Sequence, residues 1–172
     1  MVNPVGYLDV VKNQTRRTIW SLHNVIDCIP DSKWSKLYCG MPLWKHVYHT
    51  LHSLDKWYIN PFVYDEPEFH SEGLNDLDTK TGGLLTRDLL KDYAFSVENK
   101  INEYLGGLLD YQLLEKPREC PYTRFHLILA QHRHIDMHIG IIMGFIMVDS
   151  GRWPKVLGLM DTVKARYEPE YF

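Results

Sequence analysis

His134 and His138 stand four residues apart in the segment His134-Ile135-Asp136-Met137-His138-Ile139-Gly140. On an α-helix that spacing puts both imidazoles on one face, on neighbouring turns, where their ring nitrogens can reach a single ion. Neutral imidazole is a good ligand for zinc, nickel, iron or copper. On a helical wheel of residues 123–148, the apolar face centres on Leu127, Ile141, Ile142 and Phe145, and both histidines fall within about 20° of that centre. His132 points about 140° away, toward the surface or an interface. An imidazole aimed into a core must be satisfied, because an unpaired buried polar group costs roughly 1–3 kcal/mol. A metal ion satisfies the pair; hydrogen bonds to Tyr, Asp or carbonyl groups are the competing arrangement.

Two ligands alone make a weak site, and residues 43–52, LWKHVYHTLH, offer a third. Leu43, Val47, Leu51, Leu54 and Tyr58 define the apolar stripe of that segment. His49 lies nearly opposite the stripe, whereas His46 and His52 lie about 120° to either side of its centre. Wheel geometry therefore ranks His46 or His52 above His49. A bundle helix touches two neighbours, however, so the sector of His46, His49, Ser53 and Trp57 can line a pocket mouth, with a solvated histidine-rich face as the alternative.

Four long helices are predicted to carry these residues. The first covers about 7–28, with Leu8, Val11, Ile19, Leu22 and Ile26 at helical spacing before Pro30-Asp31-Ser32. The second runs from Pro42 to about Tyr58 and ends at Asn60-Pro61. Residues 61–83 hold Pro67, Gly73, Gly82 and Gly83 without an apolar period and read as a long crossover loop, a kind of segment that often carries function. Thr86 and Asp88 start the third helix, which runs to Gly106-Gly107. The fourth begins at Pro121 to Thr123 and continues to about Val148, ahead of Gly151 and Pro154. No period-two strand or hairpin dipeptide is evident, so the fold class is all-α: a four-helix bundle with a long crossover between helices two and three. The chain reads as one domain over 1–172, with the bundle at about 7–150 and a weakly patterned tail at 151–172.

Composition narrows the function classes. A net charge of −3 with scattered Lys and Arg leaves no footprint for nucleic acid. No apolar run reaches the roughly 18 residues of a membrane span, and the start lacks an export leader, so the cytoplasm is the expected location. Cys28, Cys39 and Cys120 form no CxxC pair and read as free buried thiols. There is no GxSxG motif and no phosphate-cradling glycine loop. Of the nine histidines, seven fall within 46–52 and 126–138, which leaves metal chemistry as the distinctive signal.

The segment His134 to Gly140 resembles the HxxxHxG segment in the last helix of the DinB/YfiT-like family of bacterial four-helix-bundle proteins. Tyr48-His49-Thr50-Leu51, followed by Asp55 and Trp57, is similar to the segment that supplies the family's first metal-binding histidine. Helix order and the long crossover agree, so the resemblance covers most of 7–150 and lapses beyond Gly151. It implies that His49, His134 and His138 hold a divalent metal, zinc or nickel, with water in the open positions. This reverses the wheel ranking and leaves His46 and His52 as alternative third ligands. Ile141 replaces the polar residue that usually follows the family's glycine.

The resemblance further implies a metal-dependent, thiol-using transferase or isomerase, or a close hydrolase variant, acting on a small molecule, with a low-molecular-weight thiol as the expected co-substrate. A homodimer is expected on the same ground. The alternative is a non-catalytic metal-binding or stress-related interaction protein, whose ion joins helices two and four. A fourth protein ligand, drawn from His46, His52 or His126, would close the site and favour that alternative. Trp20, His23, Asn24, Tyr93 and Asn99 are candidates for the pocket wall.

Overall fold

A computed structural model describes residues 6–165 and 168–172. Residues 1–5, on which the reading of the leader partly rests, lie outside the described residues. The chain is mostly helical, with four long helices and one small hairpin: α1 (Tyr7–Asp27), β1 (Leu37–Tyr38), β2 (Met41–Pro42), α2 (Leu43–Tyr58), α3 (Arg87–Gly106) and α4 (Arg124–Ser150). Local chemistry sets the helix ends. Thr86 Oγ1 accepts the Leu89 amide and Thr123 Oγ1 accepts the His126 amide, so α3 and α4 each start on a hydroxyl cap worth about 1 kcal/mol. At the start of α1, the amides of Tyr7 and Leu8 each donate at 3.0 Å to the Asp110 carboxylate, which also suits the positive helix end. A Cβ on Gly6 would come within 2.8 Å of that carboxylate, so glycine is what admits the approach. Gly151, with φ of 67°, closes α4 in the left-handed conformation.

The hairpin corrects the strand-free expectation. Leu37 pairs with Pro42 and Tyr38 with Met41 around Cys39 and Gly40, whose φ values are 52° and 82°. Strands of two residues are too short for alternation to show in a sequence. Cys39 is also exposed rather than buried, because it sits at the tip of this turn.

α4 packs against both α1 and α2, and α3 packs against the same two helices from the other side. The core between them is built from Leu22, Val25, Leu43, Val47, Leu90, Ile101, Ile128, Ile135 and Ile142, all essentially inaccessible. Each such side chain contributes roughly 1.5–3 kcal/mol by leaving water. Among the described residues no helix is long and apolar enough to cross a membrane.

Two segments outside the helices complete the packing. The connection over 59–86 lies against the outer side of α2, so α2 is enclosed along most of its circumference: of residues 43–55 only His49 and Ser53 are not fully buried. The tail after Gly151 is held on α1 more firmly than its weak pattern suggested. Asn24, 0 % exposed, donates to the carbonyls of Lys155 and Glu170 at 2.8 Å and accepts the Glu170 amide at 2.9 Å. Trp20 Nε1 donates to the Lys164 carbonyl at 2.9 Å.

Candidate metal centre

α2 and α4 bring His49, His134 and His138 together. Their imidazole centroids are 4.6 Å apart for His49 and His138, 5.4 Å for His49 and His134, and 4.5 Å for His134 and His138. One ring nitrogen from each lies within 4.8 Å of the others, so the cluster could hold a metal ion. The Nε2 atoms of His134 and His138 are 3.1 Å apart. Two nitrogens bound to one zinc at about 2.0–2.1 Å in a tetrahedral site stand about 3.3 Å apart, so this pair is already near ligating distance.

The polar surroundings bear on the competing reading of hydrogen-bonded core histidines. The buried Nδ1 atoms of His134 and His138 meet no hydrogen-bond partner among the described residues. Among the described residues their polar contact is with each other, Nε2 to Nε2, an arrangement in which one nitrogen must give up its lone pair to a proton. No Tyr, Asp or carbonyl among the described residues bonds either ring, and a cation between the Nε2 atoms would use both of their lone pairs at once. His49 is oriented differently: its Nδ1 lies 2.7 Å from the Asn75 carbonyl, an acceptor, so Nδ1 carries the proton and Nε2 keeps its lone pair. Orientation of this kind through the second nitrogen is what metal-ligating histidines generally have.

That carbonyl is itself held in place. Lys45, one turn before His49 and 1 % exposed, donates from Nζ to the carbonyls of Gly73 and Thr79 and to Thr81 Oγ1. Three ammonium protons meet three acceptors. Gly73, with φ of 73°, supplies the left-handed turn that starts this loop. The loop that orients His49 is thereby tied to the helix that carries it.

Burial disfavours the charged form of the two α4 histidines. The His138 imidazole, 5 % exposed, is pushed down to about 4, first by desolvation and then by His49, His134 and His46. His134 is also lowered, by burial and then by His49. Near neutral pH both are in the form that ligates metal.

The alternative third ligands lie elsewhere. His46 turns toward the hairpin, with Nε2 3.0 Å from the Tyr38 carbonyl and its ring edge-on to Phe145. His52 points to the opposite side of α2, where Nε2 meets Glu66. His126 is exposed and pairs with Thr123 at the start of α4. None of the three joins His49, His134 and His138.

One wheel reading needs correction. The buried stripe of α4 passes through Ile128, Ile135 and Ile142, and Ile141 is 37 % exposed, so His134 and His138 sit on the shoulder facing α2. Exposed Leu129, Met137 and Val148 had pulled the apolar centroid off the true core. His132, placed at the surface or an interface by the wheel, is half-buried at the contact of α4 with α1, bonded to Thr15 Oγ1 at 2.9 Å.

The expected wall residues serve other ends. Asn24 and Trp20 hold the tail, His23 pairs with Glu98, Tyr93 donates to Asp55, and Asn99 is exposed. The sequence reading missed Lys45 and Asn75, whose only signal was their place on α2 and in an unusually long connection. A groove of about 380 Å³ runs between α1, α4 and the tail, lined by Arg17, Thr18, Asp136 and Met143, and carries none of the three histidines. No family model, curated protein or solved structure matches this chain, so the reading of the site rests on its own geometry.

Proposed function

We propose that this chain is a DinB/YfiT-like four-helix-bundle protein that binds one divalent metal, zinc or nickel, through His49, His134 and His138. The 59–86 connection then corresponds to the family's crossover. The observation that carries the reading is the meeting of three imidazoles whose α4 members have, among the described residues, no polar partner but each other. Three imidazole ligands, with no fourth His, Cys, Asp or Glu donor beside them among the described residues, leave a position for a small molecule. An ion bound there supplies Lewis acidity, which lowers the pKa of a thiol or water in that position. His49 and His134, both half-buried, form the accessible side, while His138 and the Lys45-held loop exclude water from the other.

On this basis the function is thiol-dependent group transfer to a small electrophile, or hydrolysis of one. A second reading, an ion that only ties α2 to α4, is favoured by the groove lying on the other side of α4. Exposed Leu129, Met137 and Val148 on α4 support pairing of two copies.

The test is elemental analysis of protein purified without affinity-tag metal and then offered zinc or nickel, repeated on His49→Ala and on a His134→Ala/His138→Ala double variant. One equivalent lost in both variants is expected. Retention in His49→Ala would move the third ligand away from His49, and a wild-type protein that stays metal-free ends the proposal. With metal bound, acceleration of thiol alkylation by a small electrophile separates the catalytic reading from the structural one. Sedimentation of Met137→Glu against wild type tests the dimer.

A further inference from the structure

On the side of α2 turned away from the first cluster, a second set of donors converges. His52 projects from α2, and Glu66 and His70 come from the 59–86 connection, four residues apart. The imidazoles of His52 and His70 stack with centroids 4.9 Å apart and planes inclined by 14°. Both Nε2 atoms face the same carboxylate oxygen, Glu66 Oε2, at 2.5 Å from His52 and 3.7 Å from His70. One donor atom from each residue lies within 4.8 Å of the others.

The burial is asymmetric in the way an open site requires. His52 is 3 % exposed, His70 is half-buried and Glu66 is exposed, so the inner wall is imidazole and the outer side is solvent. The His70 ring is held from behind, where Nδ1 lies 2.7 Å from the hydroxyl of Tyr48, a residue with no exposed surface. In the tautomer where Nδ1–H donates to that hydroxyl, the Nε2 lone pair is free to ligate an ion held beside Glu66. Lys56 Nζ sits 3.1 Å from the other carboxylate oxygen, Oε1. It is the resident cation of the group.

We propose that His52, Glu66 and His70 form a second divalent-metal site, independent of His49, His134 and His138. Two imidazole nitrogens and one carboxylate oxygen suit a first-row transition ion of the zinc class, and suit calcium or magnesium poorly because those ions take oxygen ligands. The ion takes the place of the proton that His52 shares with Glu66, and Lys56 competes with it for the carboxylate.

The competing account is a hydrogen-bonded pair, His52 with Glu66, braced by Lys56. The two differ in what Lys56 does. If the group only braces the loop, removing Lys56 loosens it and gains no metal affinity. If it is a cation site, removing Lys56 frees Glu66 and tightens binding.

The experiment is a zinc titration of the chelator-treated full chain against a chromophoric competitor, with cobalt absorption as a check on ligand type. Wild type should take up two equivalents. Glu66→Gln and His70→Ala should each lose one, and Lys56→Met should bind that equivalent about two- to fivefold tighter, the scale of the exposed ion pair it removes. His49→Ala should lose the other equivalent, so failure of the first site is read separately from failure of this one. Unchanged stoichiometry in Glu66→Gln and His70→Ala with wild-type circular dichroism overturns the proposal. So does a Lys56→Met variant with no gain in affinity.

Discussion

Lys45→Met separates the loop's role from that of the ligands. The ammonium of Lys45 is enclosed, and its three protons go to Gly73 and Thr79 carbonyls and Thr81 Oγ1. Methionine keeps the length and packing of the stem but removes every donor. A buried acceptor that loses its partner costs about 1–3 kcal/mol, and bonds to charged donors stand at the upper end of the usual range. The full cost for three acceptors is not reached, because Asp78, Thr79 and Lys80 are exposed and the freed carbonyls can turn toward water. A net loss of about 1–3 kcal/mol is therefore expected, taken up as local opening of residues 73–81 rather than global unfolding. That opening withdraws the Asn75 carbonyl from His49 Nδ1, and loss of such an orienting partner weakens metal binding by about 10–100-fold. Amide hydrogen exchange should show faster exchange confined to 73–81, and competition titration should show weaker zinc binding at the first site. Fast loop exchange with wild-type zinc affinity would refute the claim that Asn75 orients His49. Unchanged exchange would refute the clamp itself.

Metal-free protein should lose stability as pH falls from about 6.5 to 4: the unfolded His138 takes up its proton near 6.5 while the folded one resists to about 4. The unfolded state binds more protons throughout that window, so the folded state loses about 3 kcal/mol across it, and urea titrations at several pH values should show a shallower slope in His138→Gln. Asn24→Ala removes three bonds to the tail at Lys155 and Glu170, with an expected loss of about 2–4 kcal/mol. Limited proteolysis should cut that variant after Gly151 first, and wild-type resistance there would contradict the tail's anchoring. Gly6→Ala brings a methyl group against the Asp110 carboxylate, so thermal unfolding should fall by several degrees, an effect of about 1–2 kcal/mol in a chain of this size.

Helix positions were legible because their signals are local. Thr86 and Thr123 cap, Pro42 precedes, and Gly151 closes, each acting on the turn next to it in the chain. The pairing of His134 with His138 was legible for the same reason, since a spacing of four fixes adjacency on any helix. Sidedness was not. Periodicity reports which face is buried only when one face is exposed, and α2 is enclosed by α3, α4 and its own following connection. His46, His49 and His52 are thus all withdrawn from bulk water, and only the placement of neighbours assigns His46 to the hairpin, His49 to α4 and His52 to Glu66. The same holds for His70, Lys45 and the tail on Asn24, whose partners lie 22 or more residues away in the chain. Sequence alone determined the helices and one adjacent pair of imidazoles; tertiary packing decided which other side chains reach them, because those contacts come from segments that local spacing does not relate.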